Sequence, residues 1–262
     1  MSKTFADLVE LMDRLRSPGG CPWDREQTYA TLAPMLLEEA YEAFDALEEA
    51  RLGRPDDLRE ELGDLLFQIT FFARVAKERG EFNIDDVIEQ VHAKMVRRHP
   101  HVFGDVEIGS VAAQNEAWEA HKAAERQASG AADSVLDGVA LALPALLRAA
   151  KISQRAARIG FDWPDARAVI PKLAEEIAEL EAELDQGGDP AVVQEEMGDL
   201  LFAAANLARK LNIEPETALR QATAKFERRF RRVEALAAER RVGRDLDALE
   251  ALWQEVKTNE KN

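Results

Sequence analysis

Glu60-Glu61-Leu62-Gly63-Asp64-Leu65-Leu66-Phe67 returns 135 residues later as Glu195-Glu196-Met197-Gly198-Asp199-Leu200-Leu201-Phe202, with Met197 for Leu62 the single difference. Other elements recur around it in the same order. Leu37-Glu38-Glu39-Ala40-Tyr41-Glu42 corresponds to Ala174-Glu175-Glu176-Ile177-Ala178-Glu179, Lys94-Met95-Val96-Arg97-Arg98 to Lys225-Phe226-Glu227-Arg228-Arg229, and Trp118 to Trp253. The offsets of 137, 131 and 135 show small insertions and deletions between otherwise parallel halves. A period this long marks a duplicated domain, not a solenoid of short repeats. The join is expected in Gln127-Ala128-Ser129-Gly130-Ala131-Ala132, which is small, polar and without a strong apolar pattern. That gives domains 1–127 and 128–262.

Both halves read as helices. Ala and Leu are abundant, aromatics are 6%, and no β-branched run alternates long enough for a strand. Apolar positions recur at three and four, as in Leu36, Leu37, Ala40, Tyr41, Phe44, Leu47 and in Leu62, Leu65, Leu66, Ile69, Phe72, Ala73, Ala76. Breaks fall at Ser17-Pro18-Gly19-Gly20, Gly53-Arg54-Pro55, Gly187-Gly188-Asp189-Pro190 and Glu214-Pro215. The expected class is all-α, two tandem helical bundles.

The 262 residues carry a net charge of −16, and the acidity is concentrated. Glu38–Asp64 holds 11 acids and 3 bases, and Glu175–Asp199 holds 10 acids and no base, so the rest of the chain is close to neutral. Such a balance argues against a broad grip on nucleic acid polymers or an anionic membrane. No apolar stretch approaches the roughly 20 residues that span a bilayer, and residues 1–16 lack the apolar core of a signal peptide. A single cysteine excludes an internal disulfide and fits a reducing compartment. The expected location is the cytoplasm.

Glu176 and Glu179 are three apart, as are Glu196 and Asp199, and a Gly-Gly-Asp-Pro turn lies between the pairs. On helices each pair shares a face, and the turn makes an antiparallel hairpin whose helices pack about 8–10 Å apart. Four carboxylates facing one another repel strongly and call for a cation, and an all-oxygen set selects Mg²⁺, with Mn²⁺ as the substitute. Gly63 and Gly198 cost about 1 kcal/mol each in mid-helix, which suggests that a backbone or a ligand approaches there. Arg220–Arg232 holds six bases and one acid, and Lys225 and Arg229 share a face. Together with Lys172, four residues before Glu176, they match what a metal–polyphosphate complex requires.

At these residues the sequence resembles the MazG nucleoside triphosphate pyrophosphohydrolases, whose hallmark is Glu-x-x-Glu followed by Glu-x-x-Asp. The likeness extends over nearly the whole chain, including Gly20-Cys21-Pro22-Trp23-Asp24, His99-Pro100-His101-Val102-Phe103 and Gly160-Phe161-Asp162-Trp163. It implies a homodimer that hydrolyses NTPs or dNTPs of broad base range to monophosphate and pyrophosphate with Mg²⁺. It also implies that Glu176, Glu179, Glu196 and Asp199 are metal ligands, that Lys172, Lys225 and Arg229 contact phosphates, and that Trp253 lies at the nucleotide. Glu39, Glu42, Glu61, Asp64, Lys94, Arg98 and Trp118 match in the first half and mark a second site. There, however, Met35 stands where the second half has Lys172. A methionine cannot neutralise phosphate, so the C-terminal half is expected to carry the main activity and the N-terminal half to be weaker or structural.

A water activated by the metal or by a carboxylate is expected to attack phosphorus, with Glu175 or one of the four ligands as base. Attack at α- or β-phosphorus gives the same products. The second half has no histidine, which excludes a pair of Glu-x-x-His motifs for a di-iron bundle. No HExxH, P-loop or GxGxxG is present. His99 and His101 are expected to cap or pack, and Cys21 to be structural. The alternative to an enzyme is a helical dimer that binds nucleotide or a partner protein without turnover.

Overall fold

The computed structural model describes residues 2–128, 134–243 and 245–260. Among them every regular element is helical. The chain divides into two compact units, residues 1–121 and 122–262. The division falls inside a helix that continues to Ala128, and residues 129–132 of the expected join lie outside the described residues. No helix among the described residues is long and apolar enough to cross a membrane.

The first unit contains α1 (Phe5–Arg16), α2 (Pro22–Glu26), α3 (Tyr29–Arg51), α4 (Leu58–Glu78), α5 (Ile84–Arg98), the single turn α6 (Pro100–Phe103) and the start of α7 (Val111–Ala128). Its centre is the α3–α4 hairpin. Thr28 caps α3 by accepting from the Thr31 N–H, with the Thr31 side chain returning the bond. Gly53 ends α3 with φ of +84°, a conformation that glycine adopts without strain. α1 lies across α4, where Met12, Leu32, Phe71 and Val75 form the buried centre with Tyr29, Met35, Phe67 and Phe72 around them.

In the second unit the corresponding hairpin is α9 (Ile170–Asp185) and α10 (Pro190–Lys210), with α8 (Ala145–Ala157) against α10. Gly187, at φ +62°, turns the chain. Asp189 then caps α10 by accepting from the Ala191 N–H at 2.9 Å, and Pro190 occupies the first turn, where no N–H is needed. α11 (Pro215–Arg240) and α12 (Leu246–Asn259) enclose a second core of Val233, Leu236, Leu252 and Val256. The Gly160-Phe161-Asp162-Trp163 segment is pinned to the end of α10, where Asp162 accepts from Arg209 and from Lys210, and Lys210 also donates to the Trp163 carbonyl at 2.6 Å.

The apolar faces read from spacing are only partly internal. Leu36, Leu37, Tyr41 and Leu47 of α3 and Leu62, Leu66 and Ile69 of α4 are exposed, as are Ile177, Leu184, Met197, Leu201 and Phe202 of the second hairpin. Beside Leu32, Phe71 and Val75 the first hairpin buries Ala43, Ala46, Ala73 and Ala76, and the second buries Ala203 and Ala205. Each hairpin therefore has two apolar sides, one covered within its unit and one outward.

Candidate active site

Each hairpin gathers three carboxylates. Glu39 on α3 meets Glu61 and Asp64 on α4, and Glu176 on α9 meets Glu196 and Asp199 on α10. In each trio, one oxygen per residue lies within 4.8 Å of the others. Three hard oxygen donors at this spacing fit a small divalent cation. The fourth acid of each pattern, Glu42 or Glu179, lies outside its trio but close enough for its charge to be felt. Residues three apart share a helix face, and here both acids of the second helix enter the trio but only one acid of the first, Glu39 or Glu176.

The trios are electrostatically loaded. Partial desolvation raises the Glu196 carboxyl above its ordinary value, and the charges of Glu179, Asp199 and Glu176 raise it further. Glu61 is raised in the same way, by desolvation and then by Glu42, Asp64 and Glu39. Glu39 follows, with desolvation first and Asp64 and Glu42 next, opposed by a hydrogen bond from Gln68. A cation would replace this repulsion with attraction.

Lys172 reaches the second trio directly. Its Nζ lies 2.7 Å from Glu175 Oε1 and 2.7 Å from Glu176 Oε1, which raises the ammonium pKa through those two hydrogen bonds. Glu176, only 4% exposed, is thereby partnered, while Glu175 shares the ammonium but stands outside the trio. Met35, the counterpart of Lys172, packs against the Met12–Leu32–Phe71–Val75 core.

Among the described residues no hydrogen bond or ion pair joins Lys225, Arg229 or Trp253 to the second trio. Lys225 is exposed, and Arg229 donates through Nε to Glu260 at 2.7 Å. Trp253 packs on the Val233–Val256 core, with its ring 5.1 Å from that of Phe226. In the first unit Lys94 is half-buried, and Arg98 lies over the Trp118 ring at 5.1 Å. His99 joins α5 to α6, donates from Nδ1 to the Met95 carbonyl (2.7 Å) and packs on Trp118. Cys21 precedes α2 at its N-cap position without a side-chain capping hydrogen bond.

Beyond the helix's own backbone, no protein atom lies within 4 Å of where a Cβ would stand at Gly63 or Gly198, so of the two expected causes, a backbone or a ligand, the backbone is ruled out. The spacing argument also overlooked Gln68, which is buried beside Glu39 with its Oε1 lacking a hydrogen-bond partner. The repeat carried that signal: Gln68 is polar where the second half has Ala203.

The family model for the MazG nucleotide pyrophosphohydrolase domain matches residues 27–103 and again 165–233. This chain belongs to the MazG family. The two MazG segments contain both carboxylate trios, whereas Trp118 and Trp253 lie beyond them. The chain is 48% identical over 258 residues to the nucleoside triphosphate pyrophosphohydrolase of Escherichia coli strain K12, covering 97% of each. It is 45% identical over 232 residues to the nucleoside triphosphate pyrophosphohydrolase/pyrophosphatase MazG of Thermotoga maritima, covering 88% of this chain and 86% of that protein. A nucleoside triphosphate pyrophosphohydrolase of Mycobacterium tuberculosis is 45% identical over 159 residues, 60% of this MazG chain and 46% of that protein.

Proposed function

We propose that the chain hydrolyses nucleoside and deoxynucleoside triphosphates to the monophosphate and pyrophosphate, with Mg²⁺ or Mn²⁺, mainly in its C-terminal domain, residues 128–262. The observation that carries this reading is the Glu176–Glu196–Asp199 trio with the Lys172 ammonium already against it. The names of the full-length relatives point the same way.

Glu176, Glu196 and Asp199, with Glu179 beside them, would hold the cation, which would supply charge stabilisation for the phosphates and the departing polyphosphate. Lys172 binds phosphate by leaving Glu175 and Glu176, a short movement for a flexible side chain. That release frees Glu175, which then takes the proton of the attacking water, a role open equally to a carboxylate of the trio. Lys225 and Arg229 supply further positive charge, Arg229 after parting from Glu260. Trp253 offers a ring face that tolerates any base, which suits a broad range of nucleotides.

The chain works as a homodimer in the cytoplasm on free nucleotides. The outward Leu, Ile, Met and Phe side chains of both hairpins support the dimer, because a second copy would remove them from water. Residues 1–127 form the weaker or structural domain, supported by Met35 lying in an apolar core.

Incubation with Mg²⁺ and a panel of NTPs, followed by anion-exchange separation, tests the activity. Monophosphate with pyrophosphate is expected. Diphosphate with phosphate would assign a different NTPase, and intact triphosphate would favour a nucleotide-binding dimer. Hydrolysis in isotopically labelled water then locates the attack at α- or β-phosphorus.

A further inference from the structure

A cavity of about 400 Å³ lies within the first unit, lined by α1, the C-terminal half of α4 and the start of α5. It is separate from the carboxylate trio: Thr70, its first lining residue on α4, is six residues beyond Asp64, about 9 Å in rise. Its size falls in the range of small-molecule sites. Phe5 and Val9 of α1 and Ile84 and Ile88 of α5 supply apolar walls.

Five charged side chains share the lining, and they are unevenly committed. Asp13 pairs with Arg74 at 2.8 Å and with Lys77 at 3.7 Å, and Arg74 also pairs with Glu78 at 3.1 Å. Lys77 is 54% exposed, and that long contact is its one ion pair among the described residues. Glu10 of α1 and Asp85 in the first turn of α5 form no ion pair or side-chain hydrogen bond among the described residues. Glu10 precedes Asp13 by three residues, so it shares a face of α1 with the partner of Lys77.

These charges select the ligand. Three acids against two bases give the lining a net charge of −1, which disfavours nucleotides, pyrophosphate and other anions. A purely apolar molecule would take Glu10, Asp85 and Lys77 out of water without giving them partners. A molecule with an ammonium for the carboxylates, a carboxylate for Lys77 and an apolar body for the walls meets all three demands.

We propose that this cavity binds a free α-amino acid with an apolar side chain. Its ammonium lies at Glu10 and Asp85, its carboxylate at Lys77 and its side chain against Phe5, Val9, Ile84 and Ile88. The ligand joins α1 to α4 and α5 and leaves both carboxylate trios untouched.

Isothermal titration calorimetry of the full chain with L-leucine and L-phenylalanine tests the site. Saturable binding of one molecule per chain is expected, unchanged in Glu196→Gln. The analogues without the ammonium (4-methylpentanoate, 3-phenylpropanoate) and without the carboxylate (3-methylbutylamine, 2-phenylethylamine) should each bind roughly tenfold more weakly. Glu10→Gln and Lys77→Met, both at exposed positions, should weaken the amino acid by a similar factor, and Lys77→Met should leave the amines unaffected. Ala6→Phe, at an exposed position of the lining, should fill the cavity and abolish binding while the helical circular dichroism is retained. No saturable binding of either amino acid would overturn the proposal. So would an amine or a carboxylate that binds as tightly as its parent amino acid, or binding that survives Ala6→Phe.

Discussion

Arg16 holds α1 onto the hairpin that carries the first carboxylate trio, and Arg16→Met isolates what its guanidinium contributes. The side chain is 4% exposed. It donates to Glu78 through Nε at 3.0 Å and Nη2 at 2.6 Å, and through Nη1 to the Asp24 carbonyl and, at 3.2 Å, to that of Gln27. Its guanidinium also lies over the Phe71 ring at 5.3 Å. Methionine keeps the apolar stem against Phe71 and removes the fork. Breaking a fully buried ion pair costs about 3–5 kcal/mol. Glu78 is a third exposed and keeps Arg74 at 3.1 Å, which discounts the pair, while two carbonyls lose a donor at about 1 kcal/mol each. The net expectation is about 3 kcal/mol, or roughly 10 °C in Tm for a unit of this size. Arg16 is the main cause of the lowered Glu78 pKa, so the stabilisation is present above the unfolded carboxyl pKa and disappears as pH falls through the folded one. Urea unfolding followed by tryptophan fluorescence should show the full gap at neutral pH and a much smaller one in acid. A gap under about 1 kcal/mol at neutral pH, or one unchanged in acid, would refute the assignment of this stability to the charged fork.

For catalysis, Glu196→Gln should abolish turnover and Glu61→Gln should leave most of it; equal losses, measured as pyrophosphate release, would sink the assignment of the main site to the C-terminal half. Chelation should stop hydrolysis and lower the Tm of the wild type, because the repulsion within each trio returns, and the Tm difference should shrink in a Glu61→Gln, Glu196→Gln double variant. The pH dependence follows from the raised Glu196 carboxyl: protonation sets in at higher pH than for a free glutamate and competes with the cation, so kcat/KM should fall on the acid side, with the limb moving to lower pH as Mg²⁺ is increased. A limb that ignores Mg²⁺ would detach it from the trio.

The all-helical class and the duplication were legible because the repeat preserves whole helix segments, and the hairpins followed from glycine and proline at their turns. In each half the spacing groups four acids, and the structure brings three of them within 4.8 Å of one another. Three-residue spacing identifies a shared face but not which acid enters, since that depends on how α9 is rotated against α10, a matter of packing. Glu179 and Glu42 stay outside for this reason. The leucine stripes misled differently: periodicity shows that a face is apolar but not what covers it, and Leu37, Leu62 and Leu201 are left facing outward. At Gly63 and Gly198 the expected close approach was of a backbone or a ligand, and the open space above both rules out only the backbone. The cations of α11 were found, but not that Glu260 near the chain's end would hold Arg229.

One position in the repeat explains more of the asymmetry than the rest. At 35 the chain has a methionine that fills the α1–α3–α4 core; at 172 it has a lysine between two glutamates. A side chain at that point on the helix cannot do both. Packing against Phe71 requires an apolar, flexible filler, whereas meeting phosphate requires a charge that stays hydrated until substrate arrives. In the second unit the separate core between α11 and α12 leaves the α9 position free to carry charge. In the first, α1 lies across α4 and the site's own helix contributes to the core beneath it. Duplication thus leaves this position apolar and packed in one copy and charged beside the acidic trio in the other, so two nearly identical acidic patterns in one chain need not have the same function.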